Sequence, residues 1–186
     1  MGFYDDAETA NQYISMAEGY DGRGLINVLR THLPEGATVL EMGMGPGVDL
    51  KILKKHFRVT GSDNSKFFLD RFRESDPNTE LLFLDAIELD TQRTFDCIYS
   101  NKVLHHLTND ELTKSLRRQK TILTSSGMIM HSFWCGTGVE EHQVLRFVYQ
   151  TEDSIRSIFG RLFNILEVVV YEEMERNDSL YVLATK

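Results

Sequence analysis

The amino-acid sequence predicts an α/β fold: a seven-stranded, mostly parallel sheet with helices on both faces and a C-terminal antiparallel hairpin. Three observations carry this. Residues 38–42 form an apolar run that ends in a turn holding three glycines, Gly43, Gly45 and Gly47, and passes directly into a helical pattern at Val48, Leu50, Ile52 and Leu53. The next extended runs, 57–63 and 80–84, are separated by a helical stretch and each meets an acid at its end, Asp63 and Asp85, the alternation that builds a parallel sheet. Near the far end two β-branched and aromatic runs, 163–172 and 179–185, are joined by Glu173-Met174-Glu175-Arg176-Asn177-Asp178, a hairpin signal.

The remaining elements follow in order. Two N-terminal helices are predicted at 5–16 and 24–32, split by Glu18-Gly19-Tyr20-Asp21-Gly22-Arg23, with Leu33-Pro34-Glu35-Gly36 leading into the first strand. A helix over 66–74 follows Asp63-Asn64-Ser65, which also makes Asp63 a candidate N-cap. The fourth strand, 95–99, runs into Ser100-Asn101-Lys102-Val103-Leu104-His105-His106-Leu107. An amphipathic helix is expected over 110–124, a turn at Ser126-Gly127, a fifth strand over 128–133 and a loop at Trp134-Cys135-Gly136-Thr137-Gly138. Between 139 and 160 two helical stretches are expected, divided near Tyr149-Gln150-Thr151, with Thr151 or Asp153 capping the second. In an open parallel sheet, ligands bind beyond the carboxyl ends of the strands, so the loops after strands one to five should border one crevice.

The glycine turn is the sharpest functional signal, because residues without Cβ let a ligand lie against the main chain. It departs from the dinucleotide fingerprint G-x-G-x-x-G, since Val48 stands where the third glycine belongs. Asp63 lies 20 residues after Gly43, the distance at which an acid reaches both hydroxyls of a ribose. The 186 residues suit one domain, with a helical cap at 1–36 and an α/β core at 37–186. A formal net charge of −8 argues against a nucleic-acid partner, which calls for a basic face. No apolar run is long enough to cross a membrane and the start of the chain is acidic, so a cytoplasmic protein is expected. Cys97 falls on a strand and Cys135 in a loop, a pattern of inert thiols rather than a disulfide or metal site, and no metal is expected.

The run Val39-Leu40-Glu41-Met42-Gly43-Met44-Gly45-Pro46-Gly47, then Gly61-Ser62-Asp63, Leu84-Asp85-Ala86 and Phe95-Asp96-Cys97-Ile98-Tyr99-Ser100-Asn101-Lys102-Val103-Leu104-His105-His106-Leu107, resembles the class I S-adenosylmethionine-dependent methyltransferases, in their small-molecule branch. The resemblance implies a Rossmann-like fold, S-adenosylmethionine as cofactor and methyl transfer to a small-molecule acceptor. It implies that Gly43, Met44, Gly45 and Gly47 cradle the methionine part, with Glu41 at its amino group. Asp63 would hold the ribose, Asn64 and Ser65 flank the adenine, and Asp85 with Ala86 face its amine. Ser100 and Asn101 would lie beside the sulfonium. Met44 and Pro46 replace the smaller residues usual in this turn.

Methyl transfer needs positioning, a dry pocket and, for a hydroxyl, thiol or ammonium acceptor, a base. His106 and then His105 are the candidate catalytic residues, with His131 and His142 behind them; on a helix the adjacent pair would diverge by roughly 100°, which disfavours chelation. Histidines there also simply pack or cap. Tyr4, Tyr13, Met16 and Tyr20 from the N-terminal helices, and Trp134, His142, Arg146 and Tyr149 from the segment after strand five, are candidates for lining the acceptor pocket. The chain lacks the Asn/Asp-Pro-Pro-Tyr run expected of an amino-base methylase, which favours a small metabolite. Two other classes share the β-α-β unit: a nicotinamide-dependent oxidoreductase, and a catalytically inactive S-adenosylmethionine-binding module.

Overall fold

The computed structural model describes residues 7–16, 18–142 and 145–186. Among them, β1 (Thr38–Met42), β2 (Arg58–Asp63), β3 (Glu80–Phe83), β4 (Phe95–Asn101), β5 (Leu123–Trp134), β8 (Asn164–Tyr171) and β9 (Ser179–Thr185) form one seven-stranded sheet in the order β3-β2-β1-β4-β5-β9-β8. The first five strands of that order are parallel; β9 runs antiparallel to β5, and β8 to β9. Strand order reverses between β1 and β4, so the glycine turn after β1 and the polar run after β4 emerge side by side.

Alternation along the strands sends side chains into two cores. On β1 and β4, Val39, Cys97 and Tyr99 pack with Leu25, Ile26 and Leu29 of α2 (Arg23–His32), whereas Leu40, Met42 and Ile98 pack with Leu112 and Leu116 of α5 (Asn109–Ile122) and Ile155 and Phe159 of α6 (Glu152–Phe159). A smaller cluster joins Leu50 of α3 (Val48–Leu53) to Leu69 and Phe72 of α4 (Lys66–Ser75). α1 (Ala7–Met16) leans on α4, where Arg71 donates to Asn11 Oδ1 at 2.8 Å and Tyr13 meets Phe68 edge-on, ring centroids 6.0 Å apart. The predicted fold class is therefore the observed one. No helix among the described residues is long and apolar enough to cross a membrane.

Four local expectations are corrected. Residues 139–142 and 145–148 are not helical: β6 (Val139–His142) and β7 (Leu145–Val148) make a separate antiparallel hairpin, in which valine and phenylalanine favour extended backbone and Glu141 faces Arg146 across the strands. The helix expected over 110–124 ends at Ile122 and β5 begins at once, so Ser126-Gly127 lies inside an irregular stretch of strand rather than in a turn. His105 and His106 sit on a 3₁₀ turn, Leu104–His106, which follows Lys102 at φ +54 instead of opening an α-helix. Finally, Ser65 rather than Asp63 caps α4, its hydroxyl accepting from Phe68 N–H, while Thr151 caps α6 as one of the two expected residues.

Candidate active site

The turn after β1 is shaped by its glycines. Gly43, Gly45 and Gly47 all take positive φ, at +69, +51 and +79. A Cβ on Gly43 would stand 2.6 Å from both methyls of Val103, and one on Gly47 would stand 2.3 Å from the Phe72 ring, so neither position admits a side chain. Asp63, at the tip of β2, ties the turn down: Oδ2 accepts from Gly45 N–H and Oδ1 from Ser65 N–H, both at 2.8 Å. Tyr13 of α1 lies over Gly45, its Cε1 3.6 Å from where a Cβ would be. Main chain, carboxylate and phenol thus come together at this turn.

Beneath the turn three carboxyl groups converge. Glu41 is 4 % exposed and its Oε2 has no hydrogen-bond partner among the described residues. Burial, then the nearby Asp49 and Asp63, push its carboxyl well above the usual carboxylate range. Asp49, in the first turn of α3, is a buried hub: Oδ1 accepts from Gly22 N–H at 2.6 Å, and Oδ2 accepts from Tyr99 Oη at 2.7 Å and Asn101 Nδ2 at 3.1 Å. An acid in a helix's first turn looks ordinary in sequence. The available hint was its place on a face otherwise filled by Leu50 and Leu53.

On the β3 side, Asp85 is exposed at a turn in which its Oδ1 accepts from Ile87 and Glu88 N–H, at 2.8 and 3.1 Å. Its Oδ2 and the Ala86 N–H make no hydrogen bond among the described residues. Asn64 is exposed beside the buried Ser65. At the β4 tip the buried Ser100 hydroxyl turns inward to His131, and the Asn101 amide spans Asp49 and the Ser132 hydroxyl. Val103, packed against Gly43, carries the chain from this tip across the glycine turn.

The two imidazoles next to it lie with ring centroids 4.0 Å apart. His106 Nδ1 donates to the Arg146 carbonyl at 2.7 Å; since a carbonyl only accepts, the neutral ring has its lone pair on Nε2. His105 is 3 % exposed with both ring nitrogens unpartnered among the described residues. Burial lowers both rings' affinity for a proton, most strongly for His105, where His106 and Lys102 add to the effect. Phe147 of β7 stacks on His105 at 5.2 Å and meets His106 edge-on at 5.0 Å, while Trp134 lies 6.5 Å from His105. Phe147 escapes the sequence reading because its segment is read there as helix; the aromatic and β-branched run 145–148 was the available signal. Behind Trp134, the Lys102 ammonium sits 4.0 Å from the indole centroid and pairs with Glu173, a satisfied buried cluster completed by Tyr171 and Ser179.

The other named pocket residues scatter. Arg146 pairs with Glu111 at 3.6 Å, and Tyr149 reaches Glu140 at 3.2 Å at the hairpin's base. Tyr20 and Met16 are exposed. Tyr4 lies outside the described residues, as does the side chain of His142. Among the described residues no cluster of three His, Cys, Asp or Glu could hold a metal ion.

Residues 39–127 match the family profile described as "Methyltransferase domain", which spans the glycine turn, both acidic strand tips and the paired histidines. The chain is 26% identical over 132 residues to pavine N-methyltransferase of Thalictrum flavum subsp. glaucum, covering 67% of this chain and 35% of that protein. It is 34% identical over 86 residues to trans-aconitate 2-methyltransferase of Variovorax paradoxus, 44% of this chain and 33% of that protein. It thus spans about a third of the length of these two curated relatives. Its fold superposes, with a TM-score of 0.79 and 20% identity over 100% of this chain and 91% of the other, on 1,6-didemethyltoxoflavin-N1-methyltransferase of Burkholderia thailandensis, crystallised with 1,6-didemethyltoxoflavin and S-adenosylhomocysteine. Over residues 39–127 the chain is thus similar to the methyltransferase-domain family, and it shares the fold of a methyltransferase crystallised with S-adenosylhomocysteine.

Proposed function

We propose that this chain binds S-adenosylmethionine at the glycine turn beside Tyr13 and transfers its methyl group to a small-molecule acceptor. The observation that carries the reading is the unpartnered, buried Glu41 Oε2 beside Asp49 and Asp63: an orphan acceptor among acids, closed over by bare main chain, fits a ligand bearing an ammonium group. When bound, the cofactor supplies an electrophilic methyl carbon and a neutral thioether leaving group. The protein supplies the rest. Gly43, Met44, Gly45 and Gly47 present the backbone cradle and Glu41 meets the amino group. Asp63, already fixed by two amides, accepts from the ribose hydroxyls. Asn64 and Ser65 flank the base, while Asp85 Oδ2 and Ala86 N–H form an acceptor-donor pair complementary to the adenine edge. The backbone of Ser100 and Asn101 borders the sulfonium.

On the acceptor side, His106 Nε2 takes the proton that an N–H or O–H acceptor loses, and His105 orients that acceptor against Phe147 and Trp134. Two uncharged imidazoles suit a neutral acceptor with a proton to give better than a carboxylate, which needs no base. Tyr13 walls the pocket on one side; Tyr20, Arg146 and Tyr149 are assigned to its outer rim. No nucleic-acid partner is proposed for a chain of net charge −8, and the location proposed is cytoplasmic.

The test has two stages. Titration calorimetry with S-adenosylhomocysteine should show binding that NAD does not reproduce; NAD binding instead would favour an oxidoreductase. Release of S-adenosylhomocysteine should then be followed with phenols, heteroaromatic N–H compounds, amines, thiols and carboxylates. Tight binding without turnover of any would support a binding module.

A further inference from the structure

A buried chain of side-chain hydrogen bonds links the two ends of the proposed cofactor site. Ser115 Oγ lies 2.5 Å from the Ala86 carbonyl, Gln119 Nε2 3.1 Å from Ser115 Oγ, His131 Nε2 2.8 Å from Gln119 Oε1, and Ser100 Oγ 2.8 Å from His131 Nδ1. Ser100, Ser115, Gln119 and His131 are each 0 % exposed, so bulk water cannot take over the three bonds among them, while the bond to the Ala86 carbonyl is part-buried. Their direction is forced from one end. The Ala86 carbonyl can only accept, so Ser115 donates to it and accepts from the Gln119 amide. That leaves Gln119 Oε1 to accept from His131 Nε2–H, and His131 Nδ1 to accept from Ser100. Burial holds the imidazole neutral by lowering its pKa to about 3, as the order requires.

The chain acts on the peptide between Ala86 and Ile87. Ser115 holds its carbonyl, and Asp85 Oδ1 accepts from its N–H. A peptide plane clamped on both sides fixes the Asp85 carboxylate as well, and neither its Oδ2 nor the Ala86 N–H makes a hydrogen bond among the described residues. Arg118, one turn further along α5, braces the next residues through the carbonyls of Glu88, Leu89 and Thr91. The opposite end of the chain pins Ser100 at the β4 tip.

We propose that Ser100, His131, Gln119 and Ser115 are positioning residues that set the Asp85–Ala86 turn to select adenine over other purines and lock it to the strand bordering the reacting sulfur. This rests on the S-adenosylmethionine reading above. Adenine offers a donor at its amino group and an acceptor at N1; hypoxanthine offers the reverse, so a rigid acceptor-donor pair discriminates between them. Loosening the relay erodes that discrimination without removing any atom from the site.

Calorimetry with S-adenosylhomocysteine and S-inosylhomocysteine tests this on wild type, Ser115→Ala, Gln119→Met and a control, Leu116→Ala, which cuts the same helix's buried apolar face. In both relay variants the Kd for the adenosyl ligand should rise about five-fold, the worth of one hydrogen bond, while the inosyl Kd moves less than about two-fold. Leu116→Ala should lower the melting temperature and leave the ratio of the two constants unchanged. Equal weakening of both ligands, an unchanged ratio in the relay variants, or narrowing by Ser115→Ala but not by Gln119→Met would each overturn the relay. Wild type that binds neither ligand defeats the underlying cofactor reading instead, and the relay with it.

Discussion

The Tyr99 phenol donates to Asp49 Oδ2 at 2.7 Å, joining the middle of the sheet to the helix that starts at the glycine turn. The same carboxyl group accepts from Gly22, so the start of α2, the turn and β4 meet on one acid. Tyr99→Phe removes one donor from a buried carboxyl group and should cost about 1–3 kcal/mol in urea unfolding, while weakening S-adenosylhomocysteine in calorimetry.

Gly22 leaves no slack there. A Cβ at this position would lie 2.2 Å from both Asp49 Oδ2 and Tyr99 Oη, so Gly22→Ala must push the start of α2 away from α3. Overpacking of this kind should cost about 1–3 kcal/mol and break the Gly22 amide's bond to Asp49. Chemical denaturation measures the loss, and amide exchange at residue 22 reports the broken bond. A variant as stable as wild type with a protected amide would contradict the packing described.

Glu41 should make stability depend on pH in the direction opposite to a salt-bridged acid. Its proton is held more tightly in the folded chain than in the unfolded one. Folding therefore binds protons between the ordinary glutamate pKa and the raised one, and stability falls as pH rises through that window, staying level below it. Glu41→Gln keeps the shape without the charge. It should be more stable than wild type from neutral pH upward, converge with it in acid, and bind S-adenosylhomocysteine about ten-fold more weakly. Urea titrations at several pH values and calorimetry at pH 7 check both halves; a variant that loses stability at alkaline pH would refute the assignment.

Much of the fold is legible in sequence because its signals are local. The 38–63 unit announces itself through an apolar run, a glycine turn and an acid within one β-α-β stretch, and the closing hairpin through β-branched alternation. What stays hidden depends on distance. Asp49 acquires its role from partners 27, 50 and 52 residues away. Residues 139–148 mislead because Val139, Glu140 and Glu141 fit a helix as well as a strand; cross-strand pairing and the docking of Phe147 on two imidazoles settle the matter. The 3₁₀ turn at Leu104–His106 follows a left-handed Lys102, which nothing in a lysine foretells.

Phe147 fastens the β6–β7 hairpin to the paired histidines. Replacing it by alanine removes its contacts with the two imidazoles from a half-buried position, and the cost should be about 2 kcal/mol, below the range for a fully enclosed phenylalanine. Phe147→Leu should recover most of that. Hydrogen exchange read by mass spectrometry should show faster exchange confined to 139–148 in the alanine variant. Protection equal to wild type would mean that the remaining contacts, the His106 bond to the Arg146 carbonyl among them, hold the hairpin without the ring.

That same bond decides how turnover should respond to pH once an acceptor is in hand. With Nδ1 committed to the carbonyl, only Nε2 is left to receive a proton, and burial keeps the ring's pKa below its ordinary 6.5. The imidazole is thus neutral at pH 7, and kcat/KM should be level there and fall as acid protonates the ring at a pH below 6.5. With His105 only 4.0 Å away, a second positive charge is opposed, so the limb should have the slope of a single proton. His106→Gln offers a donor but no base; it should lower kcat by about 10²-fold or more and abolish the limb, with S-adenosylhomocysteine affinity unchanged. An acid limb that survives intact in His106→Gln would move the proton transfer to another group.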